Sequence, residues 1–164
     1  MRGMVTEKTE EYDWDKHFLQ IAVQIAKSSE DDSTKVGCVI VFNEFQNRKM
    51  IAYGVNSFPS RVLKTDARMV RPTKYLWTCH AEENAIAAAA GTGSPVIGSK
   101  LYVTHRPCAR CARLVVQSGI IEVIIPEVNK HSLDARWEEE VTIGSTMFKE
   151  AGVKETWLQI SLNT

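Results

Sequence analysis

The chain has 164 residues, of which 24% are charged and 44% belong to the AVILMFWYC group, a composition ordinary for one globular domain and too apolar for disorder. Lys plus Arg equal Asp plus Glu at 20 each, so the chain lacks the net positive charge typical of nucleic-acid-binding proteins, and a small substrate is favoured. Residues 1–15 lack the apolar stretch of a secretory signal, and no segment approaches about 18 continuous apolar residues. We therefore expect one cytoplasmic domain over 1–164, with 1–12 as a flexible N-terminal segment and no membrane partner.

The first predicted elements are a helix and a hairpin. Apolar residues at helical spacing predict an amphipathic helix over 14–28, with Asp13 as its N-cap. A continuously apolar, β-branched run over 36–42 predicts a strand covered on both faces. Its antiparallel partner is expected over 50–55, with a hairpin loop over 43–49.

An irregular segment follows, and then helices and strands alternate. Residues 57–75 contain prolines and scattered charges without periodicity, which predicts a long loop of the kind that often borders a site. The later predicted elements are a helix over 80–90 closed by Gly91, a strand over 101–104, a helix opened by Pro107 and ended by Gly119, a strand over 120–125, a helix over 133–151 and a strand over 155–160. Such spacing implies crossover connections, so the expected fold class is α/β, with helices on both faces of one sheet.

Four cysteines carry the first chemical signal. Without an export signal we expect them to stay reduced, and the C-x-x-C spacing of Cys108 and Cys111 indicates metal or redox chemistry. Both lie on the first turn of a predicted helix, whose N-terminus favours thiolates. His80, which opens the neighbouring helix, completes three ligands and leaves a fourth zinc position open for water, as in catalytic sites. Glu82 is then the expected general acid and base, because it can approach that water without binding the metal.

The order H-A-E and then P-C-A-R-C matches the signature of zinc-dependent nucleobase deaminases. Two other interpretations remain open. A redox pair of Cys108 and Cys111 leaves the H-A-E motif unexplained, whereas a structural zinc site needs Cys79 or His105 as its fourth ligand. His105 also competes with His80 as a ligand, but only His80 is followed by a correctly placed glutamate.

Beyond these motifs the sequence resembles the deoxycytidylate (dCMP) deaminase family from Trp14 to about Val123. D-S-T-K-V-G at 32–37 and G-V-N-S-F-P at 54–59 are similar to the family's D-P-S-T-x-V-G and G-Y-N-G-F-P, and L-Y-V-T at 101–104 precedes the cysteines as expected. The resemblance implies a three-layer α/β/α sandwich around a mixed sheet of about five strands, a bound Zn²⁺ and a homo-oligomer, often a hexamer in the family. It also implies hydrolysis of dCMP to dUMP and ammonia.

The resemblance further implies roles for individual residues. Asn56 is expected to hydrogen-bond the sugar hydroxyl, and the backbone N–H of Ala81 to hold the pyrimidine carbonyl oxygen. Glu82 is expected to take a proton from the attacking water, pass it to N3 of cytosine and later protonate the departing amino group.

A cluster of positive charge indicates a phosphate on the substrate. Five basic residues oppose the single acid Asp66 in the loop before the H-A-E motif, and these are Arg61, Lys64, Arg68, Arg71 and Lys74. We expect at least one of them to contact a 5′-phosphate, with Ser33 and Lys35 as further candidates.

The alternatives within enzymes are a 5-substituted dCMP, dCTP or free cytidine as the substrate. A tRNA or single-stranded DNA substrate is disfavoured by the neutral charge. Outside enzymology, the alternative is a zinc-binding interaction module, against which the intact Glu82 argues.

Overall fold

One mixed five-stranded sheet, with strands in the order β2-β1-β3-β4-β5, forms the centre of the fold. The computed structural model describes residues 12–44, 47–130 and 135–160, so all but the last position of the expected flexible segment 1–12 lies outside the described residues. The elements in chain order are α1 (Trp14–Ala26), β1 (Gly37–Glu44), β2 (Asn47–Val55), α2 (Asp66–Met69), α3 (Lys74–Trp77), α4 (Ala81–Gly91), β3 (Lys100–Val103), α5 (Ala109–Gln117), β4 (Glu122–Pro126), a 3₁₀ turn (Glu127–Asn129), α6 (Ala135–Ala151) and β5 (Lys154–Leu158).

Helices cover both faces of the sheet. Strand β1 pairs antiparallel with β2 and β3, whereas β3, β4 and β5 run parallel and are connected through α5 and α6. Alternate β1 residues face opposite layers: Val39 and Val41 pack with α1, and Cys38 and Ile40 pack in the core that includes residues of α4, α5 and α6. The expected three-layer α/β/α sandwich with a mixed sheet is confirmed. Among the described residues, no helix is long and apolar enough to cross a bilayer.

The hairpin is longer than predicted. Strand β1 continues to Glu44 and pairs there with Asn47, the first residue of β2, so the predicted loop over 43–49 is wrong, apart from positions 45 and 46, which lie outside the described residues. The strand β2 is an edge of the sheet, and edge strands tolerate polar residues, so a polar composition does not by itself indicate a loop. Similarly, the predicted loop over 57–75 contains α2 and the start of α3.

Two glycines let helices approach their neighbours closely. A Cβ at Gly54 in β2 would lie 2.5 Å from the backbone nitrogen of Ala85 and still closer to the carbonyl oxygen of Ala81, both in α4. A Cβ at Gly144 in α6 would lie 2.7 Å from the carbonyl oxygen of Pro107, just before α5. Both contacts therefore lie beside the helix starts that carry the H-A-E and P-C-A-R-C motifs.

Candidate active site

Two helix N-termini bring His80, Cys108 and Cys111 together. His80 is the N-cap of α4 and Cys108 the N-cap of α5, both with extended backbone, and Cys111 lies in the first turn of α5. The Nδ1 atom of His80 is 3.5 Å from the Sγ of Cys108 and 3.4 Å from the Sγ of Cys111. The three ligand atoms lie within 4.8 Å of one another, and among the described residues they form the one such group of three metal-binding side chains.

This geometry fits a zinc ion. With Zn–S near 2.3 Å and Zn–N near 2.0 Å, a tetrahedral site separates nitrogen and sulfur by about 3.5 Å, which is the spacing of His80 from both thiols. The hydrogen bond from Cys111, opposed by burial and assisted by His80, holds the pKa of Cys108 well below its ordinary value, and the same hydrogen bond raises the pKa of Cys111. A thiol with a lowered pKa is readily available as a thiolate ligand.

The alternative ligands lie outside this group. The Nδ1 of His105 is hydrogen-bonded to Thr104 Oγ1 at 3.1 Å, and burial lowers the pKa of His105. Cys79 contributes no atom to the group of three and forms a backbone bridge with Ser57 instead. Within the described chain, three protein ligands are therefore available, which is the number typical of catalytic zinc.

Glu82 occupies the second position of α4 and is only 3% exposed. Burial raises the pKa of Glu82 to about 7, although the charge of His80 opposes the shift. A carboxyl group with this pKa exchanges protons readily near neutral pH, as a general acid and base must. Its neighbour Glu83 turns away: its Oε2 accepts a hydrogen bond from the His80 backbone nitrogen at 2.7 Å.

A cavity of about 340 Å³ opens in front of Glu82 and the ligands, a size suited to a small molecule. Aromatic rings from distant parts of the chain form part of its wall. Tyr75 of α3 and Trp137 of α6 meet edge to face with centroids 5.6 Å apart, and Trp137 lies 6.1 Å from His80. The remaining lining residues are Asp31, Thr34, Val36, Asn56, Arg71, Lys74, Thr78, Ala81, His105, Arg106, Cys108, Asn129 and Val141.

Asn56 lies in the cavity wall, 8% exposed, with its carboxamide held by loop residues. Its Oδ1 accepts from the Val36 backbone nitrogen at 2.8 Å and from Ser29 Oγ at 2.7 Å, and its Nδ2 donates to the Thr34 carbonyl at 2.8 Å. One of its two amide hydrogens therefore remains for a ligand. Ala81 is also part of the wall, and its N–H occupies the first helical position, where no intrahelical acceptor exists.

Ser33 and Lys35 do not line the cavity. The ammonium of Lys35 donates to the carbonyl oxygens of Ser29 and Lys27, at 2.7 and 3.3 Å. Ser33 Oγ donates to Asp31 Oδ1 at 2.8 Å. Both side chains thus bind the turn that follows α1, and their predicted contact with phosphate stays a prediction.

The basic loop brings two of its five cations to the cavity. Lys74 is 6% exposed on its side chain and is held by Asp31, with Nζ 2.9 Å from Oδ2. Arg71 is exposed and lines the cavity, and among the described residues no partner is found for its guanidinium. The other three lie elsewhere: Lys64 pairs with Glu30, Arg68 stacks over Trp77 at 4.0 Å, and Arg61 is exposed.

Several cavity residues carried no sequence signal. Trp137 lies on the helix predicted over 133–151, which no motif linked to the site, and Asn129 follows a strand without any motif. Arg106 precedes the cysteines, yet its role is visible only in three dimensions, where it donates to the Val141 carbonyl and to Ser145 Oγ of α6.

Comparison with known proteins agrees with this site. A family model described as the cytidine and deoxycytidylate deaminase zinc-binding region matches residues 12–127, which include both ligand motifs. The chain is 38% identical over 149 residues to the "Uncharacterized deaminase in luxG 3'region" of Aliivibrio fischeri, covering 91% of this chain and 96% of that protein. It is 35% identical over 160 residues to deoxycytidylate deaminase of Homo sapiens, covering 93% of this chain and 84% of that protein.

A solved structure agrees with the fold. The crystal structure of dCMP deaminase from the cyanophage S-TIM5 in complex with dCMP and dUMP has a TM-score of 0.71 and 23% identity, covering 90% of this chain and 98% of that chain. The extent of the family match, which spans the α1 helix and both zinc motifs, decides the classification. The chain belongs to the cytidine and deoxycytidylate deaminase family.

Proposed function

We propose that this chain hydrolyses dCMP to dUMP and ammonia. The observation that carries the proposal is Glu82, a buried carboxyl group beside His80, Cys108 and Cys111 at the base of a nucleotide-sized cavity. Relatives named deoxycytidylate deaminase, 34–35% identical over 160 residues, favour the deoxyribonucleotide over other cytosine compounds.

His80, Cys108 and Cys111 would hold a zinc ion, which would activate a water molecule by lowering its pKa to about 7. Glu82 accepts a proton from this water as the oxygen adds to C4 of the base, and delivers the proton to N3. It then transfers the second water proton to the amino group, which leaves as ammonia while the C4 carbonyl of uracil forms. A pKa near 7 allows Glu82 to act as base and as acid in one cycle.

Two groups are proposed to orient the base and sugar for this transfer, and a third to exclude water. The Ala81 N–H, at the start of α4, is suited to donate to the carbonyl oxygen of the pyrimidine. The remaining Asn56 amide hydrogen is suited to donate to the sugar hydroxyl. Trp137 shields the His80 side of the cavity from bulk water.

We assign the 5′-phosphate to Arg71 rather than to Lys74. The Lys74 ammonium is already neutralised by Asp31, whereas the guanidinium of Arg71 lines the cavity and has no partner among the described residues. A charge-assisted bond to phosphate contributes about 1.5–3 kcal/mol, or roughly ten- to a hundredfold in affinity.

The test compares kcat/KM for deoxycytidine, dCMP, 5-substituted dCMP, dCTP and cytidine, with uracil formation as the readout. We expect dCMP to exceed deoxycytidine by about tenfold or more, and Arg71→Gln to reduce that ratio without changing turnover of deoxycytidine. Equal efficiency with deoxycytidine would move the assignment to a nucleoside deaminase. No turnover of any of these compounds, or of tRNA or single-stranded DNA, would favour the interaction module.

The assembly and the compartment belong to the same proposal. Three apolar side chains between β2 and α4 are strongly exposed, which favours a homo-oligomer: Leu63, Val70 and Leu76 are 70%, 60% and 87% exposed. The family resemblance implies a hexamer. All four cysteines are free, which favours the reducing cytoplasm. Light scattering of wild type and Leu76→Ser tests the assembly, since a monomeric wild type would contradict it.

A further inference from the structure

An ion pair joins the two helices that supply the zinc ligands. Arg110, which stands between Cys108 and Cys111, places its Nε 3.0 Å from Glu83 Oε1 and its Nη2 3.4 Å from Glu83 Oε2. The same Oε2 accepts the hydrogen bond from the backbone nitrogen of His80 at 2.7 Å. One carboxylate therefore contacts the His80 turn of α4 and the cysteine turn of α5.

We propose that this Arg110–Glu83 clamp is a positioning device for the metal site: it fixes the His80 turn against the Cys108–Cys111 turn and thereby slows the release of zinc. The proposal does not depend on which nucleotide the enzyme uses. It concerns only this chain's own groups around the three ligands.

The position of Arg110 supports a specific role. A cation in the first turn of a helix is disfavoured by the helix dipole, so Arg110 stands where the local helix energetics oppose it. Two features compensate. Its guanidinium forms a two-point contact with the Glu83 carboxylate, and it adds one positive charge beside two thiols that become thiolates when they bind metal.

The pair is too exposed to contribute much to global stability. The side chains of Arg110 and Glu83 are 46% and 24% exposed, and exposed ion pairs contribute little to folding. Groups that orient metal ligands behave differently, because their loss typically lowers metal affinity about 10- to 100-fold. Zinc release should therefore respond strongly to these residues while the unfolding of the metal-free chain does not.

Zinc release from the loaded full-length protein, followed with a chelator in excess, provides the test. We expect Arg110→Gln to accelerate release about tenfold, the lower end of the range because the pair is partly exposed. Glu83→Gln should have a similar effect, since the amide oxygen still accepts from His80 but the charge pair is lost. The double variant should release zinc no faster than the faster single variant, and Arg110→Lys, which still reaches one carboxylate oxygen, should be intermediate.

The matched control is Arg113→Gln, which removes the same charge from an exposed position of the same helix. We expect it to release zinc at the wild-type rate, and all variants to unfold at the wild-type temperature when metal-free. Equal acceleration by Arg113→Gln would show that general electrostatics suffice and would overturn the proposal. So would a wild-type release rate in Arg110→Gln, additive effects in the double variant, or a lower unfolding temperature of metal-free Arg110→Gln.

Discussion

Replacing Asp31 with asparagine removes a charge and almost no volume, and it leaves the Lys74 ammonium buried without a counter-charge. The two side chains are 8% and 6% exposed, with Nζ 3.0 and 2.9 Å from the two carboxylate oxygens. The amide oxygen can still accept from the backbone nitrogens of Ser33 and Thr34, which donate to Asp31 Oδ1 at 2.8 and 3.1 Å. The substitution therefore isolates the ion pair from the turn.

The structure gives the magnitude in two ways. Burial opposes ionisation of Asp31, but Lys74 and the donors of Ser33 and Thr34 outweigh it and lower the pKa of Asp31 to about 2. Relative to an ordinary aspartate this shift corresponds to roughly 2 kcal/mol. Loss of one partner from a buried pair costs about 3–5 kcal/mol, so we expect Asp31→Asn to lose about 3 kcal/mol of unfolding free energy.

The neighbouring residue offers a matched control. Glu30 pairs with Lys64 at 3.0 Å and joins the same two segments, but the side chains are 69% and 38% exposed. We expect Glu30→Gln to cost less than about 0.5 kcal/mol.

Thermal unfolding of both variants, at one protein concentration and in excess zinc, is the assay. At about 2–4 °C per kcal/mol, Asp31→Asn should lower Tm by about 6–12 °C, and Glu30→Gln by no more than about 2 °C. Equal losses in the two variants, or a loss below about 1 kcal/mol in Asp31→Asn, would refute the argument from burial.

Three further predictions concern chemistry, packing and pH. Glu82→Gln should retain zinc but lose at least about 100-fold in turnover, whereas Cys111→Ala should lose both zinc and turnover. Metal analysis and activity assays on the same samples distinguish the two variants. Near-wild-type turnover of Glu82→Gln would exclude Glu82 from the mechanism. Gly54→Ala should lower the free energy of unfolding by about 1–3 kcal/mol, because the new methyl group meets the backbone of α4. Gly91→Ala has open space around it and should raise the free energy of unfolding by up to about 1 kcal/mol. Equal effects in urea unfolding would contradict the packing argument. The pKa of Asp31 is lower in the folded than in the unfolded chain, so the stabilisation from Asp31 is complete above about pH 4 and is lost as the pH falls towards 2. In metal-free protein, the difference in unfolding free energy between wild type and Asp31→Asn should therefore shrink over that range. A constant difference would contradict the argument.

The metal site was predictable from the sequence because its signals are local. A proline before the first cysteine, C-x-x-C spacing and H-x-E at another helix start each act within one helical turn, and they predicted the ligand group that the structure brings together. The helix boundaries followed from similar signals, such as Asp13, whose side chain caps α1 by accepting from the Lys16 backbone nitrogen.

The walls of the cavity were not predictable, because they depend on pairs distant in the sequence. The sequence offered Lys74 only as one of five basic candidates for contact with a phosphate, because its partner Asp31 lies 43 positions earlier. Trp137 reaches His80 only because α6 packs beside α5. The length of the hairpin strands was underestimated for a different reason. Edge strands and loops are both rich in polar residues, so composition does not distinguish them.

The close approach of Gly144 to Pro107 joins two parts of the cavity that differ in how they relate to the family. The matched family region ends at residue 127, whereas Trp137 and Val141 of α6 form part of the cavity wall and the helix rests against the segment that opens α5. The proposed metal ligands and Glu82 thus lie within the matched region, whereas part of the cavity wall lies beyond it. We therefore expect substitutions of Trp137 and Val141 to change substrate preference while leaving the proposed metal site intact.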